Sequence, residues 1–342
     1  MKHKRWWLAG RLLVVGSVSG LLIAATVANA AADSLSGSCQ DVSFGVALAT
    51  GQPANQTLSG TYCTPAVWAS GAHDVDVLVH GATYNRSYWD WPQDAPAYSY
   101  VNRTLQAGRA TFAYDQLGSG TSSHPLSTWL TIDAQAYVMH QAVAWLQGQG
   151  YMQITAVGHS FGSMTAIHEA AAYHDVNRLV VTGLFHANGP SALVGTTQFI
   201  PASLDPALLG YITTLPGSRG ALFYDTATAD PAVIAYDEAH KDMVSSTYFG
   251  TGLTEFEVPA GLNIAAGITA PVLSISGQED AITCGITLDC TNNTQVAANE
   301  AAYYTATSSL TTATVPNTGH DLNLHPSAAA SFGVINGWIT TH

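Results

Sequence analysis

Short, strongly apolar segments recur along the chain and are separated by segments with helical spacing. Compact apolar segments of this kind are typical of strands buried on both faces of a parallel sheet. They are residues 75–80, 110–114, 154–157, 179–184 and 272–276. The segments with helical spacing are residues 133–147, 161–174, 294–304 and 327–339. This alternation predicts an α/β fold with a doubly wound, mostly parallel sheet.

The alternation stops between residues 189 and 270, where no buried-strand segment occurs. Residues 205–213 and 230–246 have helical character, and each of these segments has a proline near its start. An insertion of this length is too long for a structureless loop in a compact domain. We therefore predict a helical cap at residues 189–270, between two core segments at residues 31–188 and 271–342.

The N-terminus has the pattern of a secretory signal. Three bases lie within residues 2–5, an uncharged apolar stretch spans residues 12–27, and residues 28–30 (Ala-Asn-Ala) match a cleavage site. An uncleaved anchor is the alternative, but the glycines, serines and alanines of the stretch make a poor membrane helix. A signal peptide at residues 1–30 predicts a secreted, extracellular protein without stable membrane insertion after cleavage.

The chain has four cysteines, and an even number in an exported chain indicates two disulfides with three possible connectivities. Cys39 and Cys63 end two strand-like segments within residues 33–70, which we expect to form an antiparallel pair. Cys284 and Cys290 enclose a short loop. We therefore favour the bonds Cys39–Cys63 and Cys284–Cys290. A zinc site is less favoured, because no Cys-x-x-Cys or His-Glu-x-x-His spacing occurs.

Composition excludes several classes of protein. Apolar residue types make up 47% of the chain and charged types 10%, which is the opposite of a disordered composition. Four of the ten bases precede residue 12 and the first acid is Asp33, so cleavage takes the net charge from −13 to −17. A protein this acidic binds no nucleic acid through its phosphates, and anionic membrane surfaces repel it.

One five-residue segment carries the strongest chemical signal. Gly158-His159-Ser160-Phe161-Gly162 follows a predicted strand and opens a predicted helix. This is a Gly-x-Ser-x-Gly nucleophile elbow in the strand–turn–helix context that the motif requires. The two glycines leave room for a tight turn, and the turn raises the serine above the edge of the sheet. We therefore predict that Ser160 is a catalytic nucleophile.

A serine nucleophile requires a base, and the base requires an orienting acid. In this arrangement they follow along the chain in the order serine, acid, histidine. Asp280 follows the last of the apolar segments and is favoured as the acid over Glu279 and Asp289. His320 lies in a loop after a later predicted strand and is favoured as the base over His325, which adjoins the final helix.

Negative charge on a substrate carbonyl oxygen is stabilised by two N–H donors, which form an oxyanion hole. The residue after the nucleophile, Phe161, supplies one donor, and a residue after an earlier strand supplies the other. We predict Ala82 as that second donor, because Gly81 lets the backbone approach closely. Thr83 is the alternative.

In order and spacing, these features resemble the α/β-hydrolase superfamily from about residue 40 to the C-terminus. The features are His80-Gly81, the Asp-Gln-Leu-Gly-Ser-Gly segment at residues 115–120, the Ser160 elbow, Asp280 and His320. Residues 79–90 also resemble secreted actinobacterial serine hydrolases of the esterase and lipase kind. The resemblance implies an eight-stranded sheet, a lid after the sixth strand, and serine hydrolase chemistry without a metal or cofactor.

Aromatic residues follow the predicted oxyanion hole, and apolar residues are frequent in the predicted cap. We expect Tyr84, His159 and His186 to line a substrate pocket, with packing inside the protein as the alternative role. The single His-Gly-x segment resembles the oxyanion hole of lipases and esterases for medium or longer acyl chains. The expected substrate is a small apolar ester or lactone, cleaved through an acyl-serine intermediate.

Two other functions stay open. An exported aminopeptidase of the proline-iminopeptidase kind would bind a substrate amine through cap acids, for which Asp237, Glu238 and Asp242 are available. The Gly-Gly pair usual after the elbow of that family is absent, because Gly162 is followed by Ser163. A non-catalytic binding protein on the same scaffold is the other possibility, but such proteins usually lose part of the triad.

Overall fold

The computed structural model describes residues 37–69 and 73–342. The signal peptide predicted at residues 1–30 lies outside the described residues. Within the two described ranges, no helix is long and apolar enough to cross a membrane.

The described residues form a sheet of eight strands and a smaller sheet of three. In chain order the strands are β1 (Gly37–Val46), β2 (Gln56–Pro65), β3 (Asp74–Val79), β4 (Ala110–Asp115), β5 (Gln153–His159), β6 (Arg178–Thr182), β7 (Phe199–Pro201), β8 (Tyr211–Thr214), β9 (Val244–Ser245), β10 (Val272–Gly277) and β11 (Leu310–Val315). The large sheet has the order β1-β2-β4-β3-β5-β6-β10-β11, and the small sheet has the order β7-β8-β9.

Most of the large sheet is parallel, as the apolar segments predict. In the large sheet, β1 pairs with β2 and β2 with β4 in antiparallel fashion. The remaining neighbours, β4-β3-β5-β6-β10-β11, are all parallel. Every residue of β3, β4, β6 and β10 is buried, because helices cover both faces of the sheet. The predicted α/β fold is therefore confirmed.

Helices connect the strands and cover the sheet. They are α1 (Ala95–Tyr98), α2 (Tyr100–Gln106), α3 (Ile132–Gly148), α4 (Phe161–Tyr173), α5 (Pro190–Gly195), α6 (Arg219–Phe223), α7 (Pro231–His240), α8 (Ser246–Phe256), α9 (Asn293–Ala301) and α10 (Ala328–Thr341). The four segments with helical spacing correspond to α3, α4, α9 and α10. The side chain of Thr131 fixes the start of α3 by accepting a hydrogen bond from the Ala134 N–H.

The insertion between β6 and β10 is only partly helical, which corrects the sequence-based expectation. Pro206 and Pro231 do begin helical turns, at Pro206–Leu208 and in α7. Residues 205–213 nevertheless run into β8, and residues 230–246 run into β9. β-Branched residues in these two strands favour extended backbone, and β8 pairs with both β7 and β9 in antiparallel fashion.

Both favoured disulfides are present in the structure. Cys39 and Cys63 are directly paired residues of β1 and β2, so this bond fastens the antiparallel edge of the sheet. Cys284 and Cys290 close a short loop after β10. The Cys284 N–H also donates to the Asp280 carbonyl oxygen at 2.8 Å, which connects this loop to the end of the strand.

We expect replacement of Cys39 and Cys63 by serine to lower the free energy of unfolding by about 3 kcal/mol, because the bond closes a loop and so restricts the conformations of the unfolded chain. The two residues are 24 positions apart. The matched control replaces Cys284 and Cys290, which are 6 positions apart and should contribute about 2 kcal/mol. Urea unfolding under non-reducing conditions measures both losses. An unchanged unfolding midpoint for the first variant would contradict the prediction.

Candidate active site

Ser160 occupies a strained turn between β5 and α4. Its φ of 52° and ψ of −121° lie in a region that residues with a side chain rarely adopt. The turn is tight, because a Cβ atom on Gly158 would lie 2.5 Å from the Gly162 carbonyl oxygen. A Cβ on Gly162 would lie 2.1 Å from the carbonyl oxygen of Val79. Both glycines of the motif are therefore required for the serine to reach this position.

Asp280 and His320 follow two neighbouring parallel strands, β10 and β11. The carboxyl ends of these strands meet at one edge of the sheet, which brings the two side chains together. His320 Nδ1 lies 3.1 Å from each carboxylate oxygen of Asp280. Both side chains are buried. Donation from Nδ1 to the carboxylate leaves Nε2 as the nitrogen that can accept a proton.

The rival residues have other environments. Glu279 and Asp289 are exposed. His325 Nε2 accepts hydrogen bonds from the backbone N–H groups of Asp225 and Gly319, at 3.1 and 3.0 Å. The structure therefore brings the favoured acid and base together and leaves the rivals apart from them.

The Asp280 carboxylate is held by several donors besides His320. Ser276 Oγ lies 2.6 Å from Oδ2, Thr283 Oγ1 lies 3.1 Å from the same oxygen, and the Ile282 N–H donates to Oδ1 at 2.9 Å. Burial raises the pKa of Asp280, but His320 and these donors outweigh burial and lower it. Burial lowers the pKa of His320, but the Asp280 charge outweighs burial and raises it.

Ser160 and His320 line one cavity of about 290 Å³ beneath the cap. Tyr84 and His159 also line this cavity, as expected from the sequence. Apolar side chains from the core and the insertion form most of the remaining wall. They include Met164, Leu184, Phe199, Phe223, Phe249 and Leu253. The wall of this cavity is therefore mostly apolar.

The two predicted N–H donors lie beside the serine. Ala82 and Phe161 both line the cavity. Phe161 is the first residue of α4, where N–H groups have no partner within the helix. A Cβ on Gly81 would lie 3.2 Å from Ser160 Cβ, so the segment that leads to Ala82 runs along the serine. The alternative, Thr83, is not among the residues that line the cavity.

The structure differs from the expectation for His186, which does not belong to the lining of this cavity. Glu300 of α9 binds His186 at two points, with Oε1 2.8 Å from the backbone nitrogen and Oε2 3.1 Å from Nδ1. The imidazole also stacks on Tyr303, with 3.9 Å between ring centroids. These contacts hold the side chain inside the core, so its position at the end of a strand did not indicate a pocket residue.

The cap acids considered for amine binding have other partners. Asp237 Oδ2 accepts from Arg219 Nε at 2.8 Å, and Glu238 pairs with Lys241. Asp242 accepts hydrogen bonds from the Asn85 amide and from nearby backbone N–H groups. These carboxylates are also not among the residues that line the cavity. No observation therefore favours the aminopeptidase alternative.

A buried polar network, missed by the sequence analysis, connects the cap to the site. Asp321, next to His320, has Oδ1 3.0 Å from His159 Nε2 and Oδ2 2.5 Å from the Tyr84 hydroxyl. The same hydroxyl lies 2.9 Å from Asp237, the partner of Arg219. The Tyr84 hydroxyl has one proton, so it can donate to only one of the two carboxylates. Burial raises the pKa of Asp321. The only sign of this network in the sequence is that Asp321 directly follows His320.

The fold and this constellation define the class of protein. The profile of the alpha/beta hydrolase family matches residues 77–331, which is more than half of the chain. The protein therefore belongs to the alpha/beta hydrolase family. No curated protein matches its sequence.

Three solved structures illustrate the likeness. A thermostable carboxyl esterase from Bacillus coagulans has a TM-score of 0.63 at 17% identity, over 89% of this chain and 98% of that one. An esterase from Thermogutta terrifontis has a TM-score of 0.58 at 17% identity, over 88% and 98%. A monoacylglycerol lipase from Paleococcus ferrophilus has a TM-score of 0.56 at 17% identity, over 89% and 99%. At this identity the likeness concerns the fold alone.

We expect Arg219→Met to lower the free energy of unfolding by about 3–5 kcal/mol, because it leaves the Asp237 charge buried without its partner. Both side chains of this pair are almost completely buried. The control is Lys241→Met, in the more exposed pair with Glu238, for which the loss should be under about 1 kcal/mol. Urea unfolding measures both. Equal losses in the two variants would show that the buried pair has no special role.

Proposed function

We propose that the protein is a serine hydrolase that cleaves a carboxylic ester or lactone through an acyl-Ser160 intermediate. One observation carries this proposal. A serine in a strained elbow shares an apolar cavity with His320, whose Nδ1 is bonded to the buried Asp280. Neutral imidazole beside a serine hydroxyl is the arrangement that activates serine as a nucleophile.

The proposed reaction has two halves. As Ser160 Oγ adds to the ester carbonyl carbon, His320 Nε2 takes the serine proton, and the N–H groups of Ala82 and Phe161 stabilise the oxyanion. The carbonyl re-forms, the bond to the alcohol oxygen breaks, and that oxygen takes the proton from His320. Water then adds to the acyl carbon while His320 Nε2 takes its proton. The bond between the acyl carbon and Ser160 Oγ breaks, Oγ takes that proton, and the acid is released. Asp280 fixes the tautomer of His320 and stabilises its protonated form.

The cavity supports a small, uncharged, apolar substrate. Its walls are mostly aliphatic and aromatic, and its volume lies near the lower end of the range of about 300–1,000 Å³ for small-molecule sites. The known activities of structural relatives, a carboxyl esterase and a monoacylglycerol lipase, support an ester as the scissile group. Secretion is part of the proposal and is supported by the leader pattern and by the two disulfides.

We expect Ser160→Ala to reduce kcat/KM on p-nitrophenyl esters by at least about 10³-fold, because the covalent route is removed. A series from acetate to palmitate should show the highest wild-type rate at medium chain lengths, since the cavity is too small to enclose a palmitoyl chain. Ser308→Ala, at an exposed position, is the control and should keep full activity. Equal activity of the two variants would overturn the proposed mechanism.

We expect activity to fall in acid with an apparent pKa above the usual histidine value of about 6.5. The base must be neutral to take a proton, and Asp280 raises the pKa of His320, so protonation begins at higher pH than in an exposed histidine. Asp280→Asn should move this acid limb to lower pH and reduce the maximum rate by roughly 10⁴-fold. Profiles of kcat/KM against pH test both effects. An acid limb at the same pH in wild type and variant would exclude His320 with Asp280 as the base system.

A further inference from the structure

A second group of ionisable side chains lies between α3, α4 and the segment that follows α4. His140 belongs to α3, Glu169 to α4, and Asp175 to the segment before β6. One nitrogen or oxygen atom from each of the three lies within 4.8 Å of the other two. His140 Nδ1 and Asp175 Oδ2 are 2.7 Å apart. Glu169 follows Ser160 by nine positions, a rise of about 14 Å along the helix, so this group lies apart from the candidate active site.

Glu169 is the unusual member of the group. Its side chain is fully buried, and within the described part of the chain neither carboxylate oxygen has a hydrogen-bond donor. The Asp175 carboxyl lies beside it, and Asp175 Oδ1 also has no donor among the described residues. Two neighbouring carboxyl groups can both be charged inside a protein only if a cation lies between them. Otherwise they must share a proton.

No lysine or arginine of the described residues supplies that cation. All six have partners elsewhere: Arg86 with Asp115, Arg103 with the Pro96 carbonyl, Arg109 with Asp76, Arg178 with Asp74, Arg219 with Asp237, and Lys241 with Glu238. His140 is the one base among the three members of the group, and its ring stacks on Tyr173, with 4.1 Å between centroids. His140 can supply at most one positive charge for the two carboxylates, and its Nδ1 is bonded to Asp175, so within the described part of the chain Glu169 has no countercharge of its own.

We propose that His140, Glu169 and Asp175 bind one divalent transition-metal ion of the zinc class. One imidazole and two carboxylates are typical ligands of Zn²⁺, whereas Ca²⁺ and Mg²⁺ prefer oxygen ligands alone. Metal bonds of about 2.0–2.2 Å require small side-chain rotations that part His140 from Asp175. The His140 and Asp175 side chains are 32% and 17% exposed, which gives the ion a path from solvent and leaves room for water as a fourth ligand.

The proposed ion would fasten α3 and the end of α4 to the start of β6. Its ligands come from three separate segments, so no short spacing in the sequence predicts the site. Because α4 begins directly after Ser160, the ion would stabilise the helix that supports the elbow without contacting substrate. The proposal does not depend on the proposed ester hydrolysis, and its test needs no activity measurement.

The test uses the purified full-length protein, first treated with a chelator and then titrated with ZnCl₂. We expect one Zn²⁺ per chain by elemental analysis and calorimetry, and a rise of several degrees in the melting temperature. Binding should release protons, because metal ligands must be deprotonated. CaCl₂ at the same concentration should give a much smaller shift. The readouts are metal content, melting temperature and the buffer dependence of the binding heat.

Two variants locate the ion. Glu169→Gln keeps the shape of the side chain and removes its charge, and His140→Ala acts at a partly exposed ligand, so at least one of them should fold. Both should lose the zinc-dependent shift. Their matched controls, Glu255→Gln on α8 and His240→Ala on α7, should keep it. A wild-type response to zinc in Glu169→Gln and His140→Ala would place the bound ion elsewhere. No tight zinc binding by wild type would mean that Glu169 and Asp175 share a proton, and either result overturns the proposal.

Discussion

The backbone turn at Ser160 is the constraint on which the candidate site depends. This φ and ψ combination is unfavourable for a residue with a side chain, so the surrounding structure has to hold Ser160 in it. Gly158 and Gly162 permit contacts with the backbone at distances that any Cβ would prevent, and the second of these contacts involves the end of β3. The same close packing that strains the serine therefore brings the segment with Ala82 beside it. The positions of the proposed nucleophile and of the proposed oxyanion hole therefore depend on the same close packing.

A shortage of bases determines how this protein stabilises buried carboxyl groups. The described residues contain six lysines and arginines, and three of these bases are buried in ion pairs: Arg109 with Asp76, Arg178 with Asp74, and Arg219 with Asp237. The remaining buried acids rely on other groups. Asp280 uses hydroxyls, a backbone N–H and His320, whereas Asp321 uses a tyrosine and a histidine. Burial raises the pKa of Asp321 and of Glu169, where no full countercharge is in contact.

Features that depend on a short stretch of residues could be predicted from the sequence. Features that depend on contacts between distant segments could not. Buried strands and the elbow depend on short runs of residues, and the order of Ser160, Asp280 and His320 follows from the strands that precede them. The cap was predicted as helical because a helix and a short amphipathic strand look alike over a few residues, and pairing with β7 and β9 selected the strand. His186 was misplaced because its partner, Glu300, lies on α9, more than a hundred residues away. The Asp321 network likewise requires the folded cap.

A hydrogen bond between their sequence neighbours connects the proposed nucleophile, Ser160, to the proposed base, His320. His159 precedes Ser160, and Asp321 follows His320, and these two flanking side chains are bonded to each other. The His159 ring is in turn fixed by stacking on Tyr88, with 4.4 Å between centroids. A displacement of either segment would therefore break a buried hydrogen bond, which costs free energy because the separated groups would stay buried. Contacts formed during folding thus constrain the relative position of Ser160 and His320 before any substrate binds.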